Sequence, residues 1–346
     1  MFLRRRLTLF LWAALALGCG RSELLAPGFA SASGQSSSSS EVSSPFDAGI
    51  SATLVQPDGS AVRDGGLSCG TGSCAVLFGG WNNSALADTW VWDGTRWTEQ
   101  SVPGPSARSE AVMANLNGKP VLFGGAGAYP AGYLADTWVW DGVWTKLDVT
   151  GPPARAGAVM APLDGKLVLF GGWGLTGNAP LADTWTWDGT AWTRLGLEGP
   201  SGHPSDVLAP LDGVLVLSGD GADTWTFDGA HWSIVAISAG PPVQLGATMA
   251  PQAGSLVLFG GSVFLGAGCA AETWTWDGSS WAQLAVTGPV RRCVAVMASL
   301  KDGVLLFGRA QLPGYLADTW MWNGATWAEE TVVGPSKRSE AVMTVW

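Results

Sequence analysis

Two glutamates stand where their type and neighbours would allow acid–base chemistry. Glu110 and Glu340 each follow an Arg-Ser pair and each precede Ala-Val-Met. A carboxyl beside an arginine works as a general acid or base only where burial or a nearby charge shifts its pKa. Because both glutamates occur in the same repeated phrase, a polar residue at the start of a strand accounts for them as simply. No catalytic residue is predicted from this pattern.

The five cysteines are the other residues that carry chemistry. Cys19 follows an apolar run, whereas the other four lie in or beside the repeated part of the chain. Closeness in the sequence favours the disulfides Cys69–Cys74 and Cys269–Cys293 among three possible connectivities. A zinc site is the competing interpretation, but the chain has no CxxC pair and only two histidines. No metal ion and no other cofactor is predicted.

Tryptophan, with 21 residues in a chain of 346, marks an internal repeat. A Trp follows Asp-Thr or Glu-Thr at intervals of about 40–50 residues, a spacing typical of β-propeller blades. The positions are Trp90, Trp138, Trp185, Trp225, Trp274 and Trp320. A carbohydrate-stacking surface is one interpretation of so many indoles. A ring that recurs at one place in every copy is more typical of packing between blades, and this is the prediction for the repeat tryptophans.

Each copy contains four short pieces with strand character. In the second copy, a strand is predicted from Ser109 to Ala114, followed by the turn Asn117-Gly118. An apolar strand then stops at Gly124-Gly125, and Asp141-Gly142 links the last two strands. Asn-Gly and Asp-Gly between β-prone runs are strong hairpin signals. No segment has sustained helical periodicity, so the predicted fold class is all-β.

The end of the chain predicts how the propeller closes. Residues 336–343 nearly repeat residues 106–113, the start of the second copy. The first copy lacks an innermost strand, so Arg338 to Trp346 is expected to pair with the strand that holds Val76 to Phe78. That pairing closes the ring at six blades and leaves no exposed strand edge.

The repeat resembles the kelch family, and in particular bacterial kelch-like arrays with a Trp-Asp-Gly turn. The diglycines that end an apolar strand carry the resemblance, together with the spaced aromatic residues that follow them, over residues 74–346. The diglycines are Gly79-Gly80, Gly124-Gly125, Gly171-Gly172 and Gly260-Gly261. The fourth and sixth copies depart from the pattern, reading Ser218-Gly219-Asp220 and Phe307-Gly308-Arg309. The resemblance implies a six-bladed kelch-type β-propeller closed by the C-terminal strand.

Two kelch-type enzymes bear on activity. Galactose oxidase needs Tyr and His copper ligands and a Tyr–Cys crosslink, and this chain has three Tyr and two His, so copper oxidation is not expected. N-acetylneuraminate epimerase is similar in being an exported bacterial kelch-like propeller, and it performs acid–base chemistry with Glu and Arg. A carbohydrate-acting enzyme of that kind is therefore the alternative to a binding function.

The N-terminal segment is typical of an export signal. Three arginines precede the apolar run Leu7 to Leu17, which is too short to span a membrane. Residues 1–18 are predicted to be a signal peptide, with Cys19 as the lipidated N-terminus; an ordinary signal cut nearby is the alternative. Residues 19–73 are expected to be a Ser-rich linker, and residues 74–346 the propeller. The predicted location is the bacterial outer membrane through the lipid, or the periplasm or exterior without it.

Charge and loop lengths narrow the partners. The net charge is −10 without a basic patch, which argues against nucleic acid or anionic lipid and leaves the lipid anchor as the only membrane contact. The longer loops open at one end of the ring, where ligand contacts are expected. The candidate contacts are Trp81, Trp173, Arg108, Arg155, Arg292 and Arg338. The sequence predicts a monomeric binding or scaffolding module of the cell envelope, with a protein or glycan ligand.

Overall fold

The computed structural model describes most of the propeller region. The described residues are 73–175, 179–203, 206–219, 223–237, 239–242, 245–262, 268–309 and 314–346. They form six four-stranded antiparallel sheets and two two-stranded pairs. Within these residues every regular element is a strand, so the predicted all-β class is confirmed.

Each four-stranded sheet is one blade, and its strands are numbered here from the axis outwards. The first strands of blades 1 to 6 are Val342–Val345, Val112–Leu116, Val159–Leu163, Val207–Leu211, Thr248–Gln252 and Val296–Leu300. The second strands are Ala75–Phe78, Lys119–Phe123, Lys166–Phe170, Val214–Ser218, Ser255–Phe259 and Gly303–Phe307. The third strands are Thr89–Trp92, Thr137–Trp140, Thr184–Trp187, Thr224–Phe227, Thr273–Trp276 and Thr319–Trp322. The fourth strands are Trp97–Gln100, Trp144–Leu147, Trp192–Leu195, Trp232–Val235, Trp281–Leu284 and Trp327–Glu330.

The two short pairs lie at the end of the ring where the diglycines are. Arg108–Ser109 pairs with Ala126–Gly127, and Arg155–Ala156 pairs with Trp173–Gly174. They tie the loop after the second strand of a blade to the segment that precedes its first strand. This end of the ring is called the loop face below.

The C-terminal strand closes the ring as predicted. Val342–Val345 pairs antiparallel with Ala75–Phe78, with Ala75 opposite Val345 and Phe78 opposite Val342. The six first strands surround a central channel of about 210 Å³. Because blade 1 combines three strands from residues 75–100 with one strand from residues 342–345, ring closure depends on the last segment.

Large aromatic side chains pack between neighbouring blades, as predicted for the repeat tryptophans. Trp140 is fully buried, and the Trp144 ring lies 5.4 Å from that of Phe78 in blade 1. The Trp144 indole also donates a hydrogen bond of 2.9 Å to Thr89 Oγ1 across the same interface. The same bond, at 2.9–3.0 Å, joins Trp97 to Thr319, Trp192 to Thr137, Trp232 to Thr184, Trp281 to Thr224 and Trp327 to Thr273. All six interfaces therefore share one polar contact inside an apolar seam.

The first strand of blade 2 begins later than predicted. It spans Val112–Leu116, whereas Ser109 belongs to a short pair with Ala126. Glu110 between them has a φ of 52°, which is left-handed backbone and cannot continue a strand. The expected turn at Asn117-Gly118 is present, with both residues at positive φ.

The predictions for the N-terminal segment lie outside the described residues. They are the signal peptide at residues 1–18, lipidation of Cys19, and all of the linker except residue 73. Cys69 also lies outside, so the predicted Cys69–Cys74 pair is described only at Cys74, which is buried and disulfide-bonded. Among the residues that the structure describes, no helix is long and apolar enough to cross a bilayer.

Candidate functional site

Trp81 lies on the loop face of blade 1 as the residue after the diglycine. Its backbone pairs with Ser339, with N–H···O distances of 2.7 and 3.0 Å, so the loop is fixed against the segment that enters the first strand. The Trp81 indole is 37% exposed. A rigidly held and exposed aromatic ring is suited to stacking on a ligand.

Trp173 occupies the equivalent position in blade 3. Its backbone pairs with Ala156, and its side chain is half-buried. Ala126 stands at the same position in blade 2, between the two tryptophans. The neighbouring loops add two exposed side chains, Tyr129 at 99% and Leu175 at 66% exposure. The loop face of blades 1 to 3 thus carries a broken aromatic and apolar rim rather than one paired platform.

The four candidate arginines are buried inside the blades. They are Arg108, Arg155, Arg292 and Arg338, each 1% exposed. In blade 2, the Arg108 guanidinium donates to both carboxylate oxygens of Asp136, at 2.6 and 2.9 Å. It also donates to the Gly124 carbonyl and to the carbonyl and hydroxyl of Ser106. All five N–H donors of Arg108 are therefore used within the protein, and none is left for a ligand.

The arginine–aspartate pairs hold the loop-face corners together. Arg155 pairs with Asp183, Arg292 with Asp318 and Arg338 with Asp88. Burial raises the pKa of Asp136, but the hydrogen bonds and charge of Arg108 outweigh burial and hold that pKa below its usual value. This corner also explains the diglycine, because a Cβ on Gly79 would approach the Arg108 carbonyl oxygen to 2.7 Å. Of the six predicted ligand contacts, Trp81 and Trp173 therefore stay as candidates.

A second group of residues lies at the loop-face mouth of the channel. Glu110 and Glu340 directly precede Ala111 and Ala341, which line the channel. The two glutamates are adjacent across the interface of blades 1 and 2, where the Glu110 amide donates to the Glu340 carbonyl at 3.0 Å. Their φ angles are 52° and 55°. The same position is left-handed in blades 3, 5 and 6, at Gly157, Gly246 and Val294, so this conformation belongs to the repeat.

The two carboxyls occupy different electrostatic environments. Burial raises the pKa of Glu110 to about 7, and the nearby Glu340 adds to the rise. Burial also raises the pKa of Glu340, while the charge of Arg309 and a hydrogen bond from Ser109 oppose the rise. Arg309 Nη1 lies 3.7 Å from Glu340 Oε1. Glu340 therefore has a counter-charge, whereas no such pairing lowers the pKa of Glu110.

Two tyrosines complete this group. Tyr133 pairs with Ala126, which in turn pairs with Ser109, the residue before Glu110. Burial raises the pKa of the Tyr133 phenol, and the Glu110 charge adds to the rise. The Arg309 guanidinium lies 5.5 Å from the ring centre of Tyr315. Glu110, Glu340, Arg309 and Tyr133 are called the mouth cluster below. Its groups differ in charge and in hydrogen-bonding capacity, as expected of a site that recognises a polar ligand.

Sequence reasoning considered the glutamates but missed the mouth cluster. The position of Glu110 and Glu340 is taken by Gly157, Gly246 and Val294 in blades 3, 5 and 6. Arg309 stands where blades 1, 2, 3 and 5 have the second glycine of the diglycine. An alignment of the six copies at their first strands reveals both departures, and the fold shows that they meet at one point. The cluster is therefore marked in the sequence by positions that differ between the six copies, not by residues that recur in all of them.

No protein-family model matches this chain, and no curated protein matches its sequence. The six-bladed propeller with tryptophan-containing repeats rests on the structure itself.

The described residues also hold a disulfide and lack a metal site. Cys269, in the loop after the second strand of blade 5, is bonded to Cys293, which precedes the first strand of blade 6. This is the pairing predicted for these cysteines. No group of three or more His, Cys, Asp or Glu side chains within the described ranges is placed to hold a metal ion. What the loop face offers is hydrogen bonding, charge and aromatic surface.

Proposed function

We propose that this protein is an exported, kelch-type binding module whose loop face binds a glycan. The observation that carries the proposal is the mouth cluster, which follows directly on the channel-lining residues Ala111 and Ala341, on the same face as the exposed indole of Trp81. Sugar rings combine hydroxyls, which hydrogen-bond to carboxyls and phenols, with apolar faces that stack on aromatic rings. A protein ligand is the other occupant of such a face, and a binding screen distinguishes the two.

Export and anchoring belong to the same proposal. The disulfide Cys269–Cys293 is in keeping with an oxidising compartment. A signal at residues 1–18 and a lipid on Cys19 would hold the propeller at the bacterial outer membrane on a Ser-rich tether. If Cys19 is lipidated, Cys19→Ser moves the protein from the membrane fraction to the soluble fraction. Equal partitioning of the two proteins would exclude the anchor.

The binding proposal is tested with the whole chain carrying Cys19→Ser, screened on a glycan array. The rim is then examined in the double variant Trp81→Ala and Trp173→Ala. Loss of a stacked indole costs about 1–3 kcal/mol, so affinity for the glycan found is expected to fall at least about tenfold. Val143→Ala, an exposed apolar change at the turn between the third and fourth strands of blade 2, is the control. Unchanged affinity in the folded double variant excludes both indoles as contacts.

A carbohydrate-acting enzyme is the second candidate, because Glu110 has a pKa near neutrality beside another carboxyl. A general base of that pKa removes a proton from a sugar carbon at neutral pH. Incubation of free sugars with the protein in D₂O detects this activity as deuterium incorporation. Incorporation that Glu110→Gln abolishes would support an enzyme, and its absence across the array's sugars would leave binding as the function.

A further inference from the structure

We propose that the mouth cluster binds the ammonium group of an amine-bearing saccharide, with Glu110 as the counter-charge. The inference rests on the proposed function, since it names the chemical group that the same site selects. It predicts that the protein prefers a glycan with free amines to the N-acetylated form of the same glycan.

The first step is the balance of hydrogen-bond acceptors and donors at the mouth. Glu110 and Glu340 contribute four carboxylate oxygens, and one of them is paired with Arg309 at 3.7 Å. Among the described residues, nothing donates to the Glu110 carboxyl in a way that lowers its pKa. The Ser339 hydroxyl is 2% exposed and has no hydrogen-bond partner. Acceptors therefore outnumber free donors, and an ammonium group, with three donors and no acceptor, complements such a site.

The second step is charge. Among the residues that the structure describes, the titratable groups that interact with Glu110 are Glu340 and Tyr133. Arg309 is paired with Glu340 and lies over the ring of Tyr315, so within this part of the chain the Glu110 carboxyl has no cationic partner. An incoming ammonium provides that cation, and the chain's net charge of −10 attracts it from a distance.

The third step is the aromatic border. Tyr133 pairs with Ala126, which pairs with Ser109, and Trp81 is joined by its backbone to Ser339. Ser109 and Ser339 directly precede the two glutamates. Aromatic faces attract cations, and they also stack on sugar rings. An acetamido group supplies neither the charge nor the three donors, so it gains only the stacking. The cluster therefore distinguishes an amino sugar from its acetylated form.

The test compares two probes of equal length, a β-linked glucosamine tetramer and the N-acetylglucosamine tetramer, by calorimetry at pH 6. Charge-assisted hydrogen bonds are stronger than neutral ones, so the amine probe is expected to bind at least about tenfold more tightly than the acetylated probe. Glu110→Gln keeps the side-chain shape and removes the charge, and it is expected to abolish the preference. Glu99→Gln, an exposed change on the fourth strand of blade 1, is the matched control and keeps the preference.

Proton release is a second, independent measurement. At pH 6, the Glu110 carboxyl is about nine-tenths protonated if its pKa is about 7. An ammonium that pairs with the carboxylate displaces this proton, so close to one proton leaves for each ammonium seated at Glu110, less any proton that a neutral amine takes up on binding. Calorimetry in two buffers of different ionisation enthalpy counts the net release, and a pH titration of the free probe gives the fraction of its amines that are already protonated. Net release that exceeds the uptake by the probe in the wild-type protein and is lost in Glu110→Gln assigns the proton to Glu110.

The outcomes separate this inference from the function beneath it. Equal or tighter binding of the acetylated probe overturns the ammonium site and leaves glycan binding intact. A preference that survives in Glu110→Gln, or that comes without proton release, also overturns it. If the array and both probes show no binding, the proposed function fails as well. Should Glu110→Gln fold poorly, Glu110→Gly replaces it, since glycine occupies this position in blades 3 and 5.

Discussion

Four blades hold their loop-face corner with a buried arginine–aspartate pair, and two blades do not. Blades 1, 2, 3 and 6 have the pair, whereas blades 4 and 5 have His203 and Gln244 at the arginine position. Blade 5 is instead bonded to blade 6 through Cys269–Cys293. The comparison shows that loop-face segments are held in two ways, by an ion pair within one blade or by a disulfide between neighbouring blades. Repeated arginines are therefore structural here, and departures from the repeat identify the candidate site.

The largest expected effect comes from breaking a corner that has the pair. Arg155→Met leaves the Asp183 carboxylate without its partner and the Gly171 carbonyl without its donor. Removing one member of a buried ion pair costs about 3–5 kcal/mol. Urea denaturation is expected to show this loss in the free energy of unfolding. Arg194→Met, an exposed change on the fourth strand of the same blade, is the control; an equal loss there would show that the corner has no special role.

The disulfide Cys269–Cys293 can be tested in blade 5, which has no arginine at this position. Cys269→Ala with Cys293→Ala opens a bond that spans 24 residues, and loss of a bond of that span costs about 3 kcal/mol. We expect a lower melting temperature for the double variant than for the oxidised wild-type protein. Reductant should lower the melting temperature of the wild type towards that of the variant. A wild-type protein that melts unchanged after verified reduction of this bond would contradict the comparison.

The pH dependence of stability separates the corner carboxyls from the mouth. The pKa of Glu110 is raised to about 7, so the folded state favours the protonated carboxyl. Its contribution to the free energy of unfolding is therefore complete below the pKa of the unfolded chain and is lost as pH rises through about 7. The upper limit of this loss is about 3 kcal/mol. Asp136 has the opposite sign, because its lowered pKa stabilises the fold at neutral pH and the effect is lost in acid. Denaturation of Glu110→Gln between pH 5 and 8 is expected to show a flatter profile than the wild type.

The smallest effect concerns a contact that all six interfaces share. Thr319→Val removes the hydroxyl that accepts from the Trp97 indole at 3.0 Å. A single buried hydrogen bond contributes about 1 kcal/mol, and the same loss is expected from Thr184→Val, which lacks its bond to Trp232. Thr193→Val, on an exposed part of a fourth strand, should be neutral. A much larger loss at Thr319 than at Thr184 would show that the closing interface is the weakest.

Most of the fold was predictable because it is repeated. Positive φ at Asn117 and Gly118 follows from turn chemistry, and the pairing of Val342–Val345 follows from its likeness to the start of the second copy. The candidate site was harder to predict from the sequence. Arg309 and Glu340 belong to different blades and meet only once the ring is closed, so no local pattern relates them. The pKa of Glu110 depends on burial, which spacing does not reveal.

The pairing of the last strand also sets an order of events for folding. The contacts that close blade 1 join residues more than about 250 positions apart, as in the bond from Arg338 to the Gly79 carbonyl, 259 positions away. Contacts of such long sequence separation form slowly, because the intervening chain must be ordered first. The inner edge of Ala75–Phe78 therefore has no partner until Val342–Val345 has emerged from the ribosome. The Glu110–Glu340 neighbourhood does not exist before that moment, so a chain can bind through the mouth cluster only after its last strand is in place.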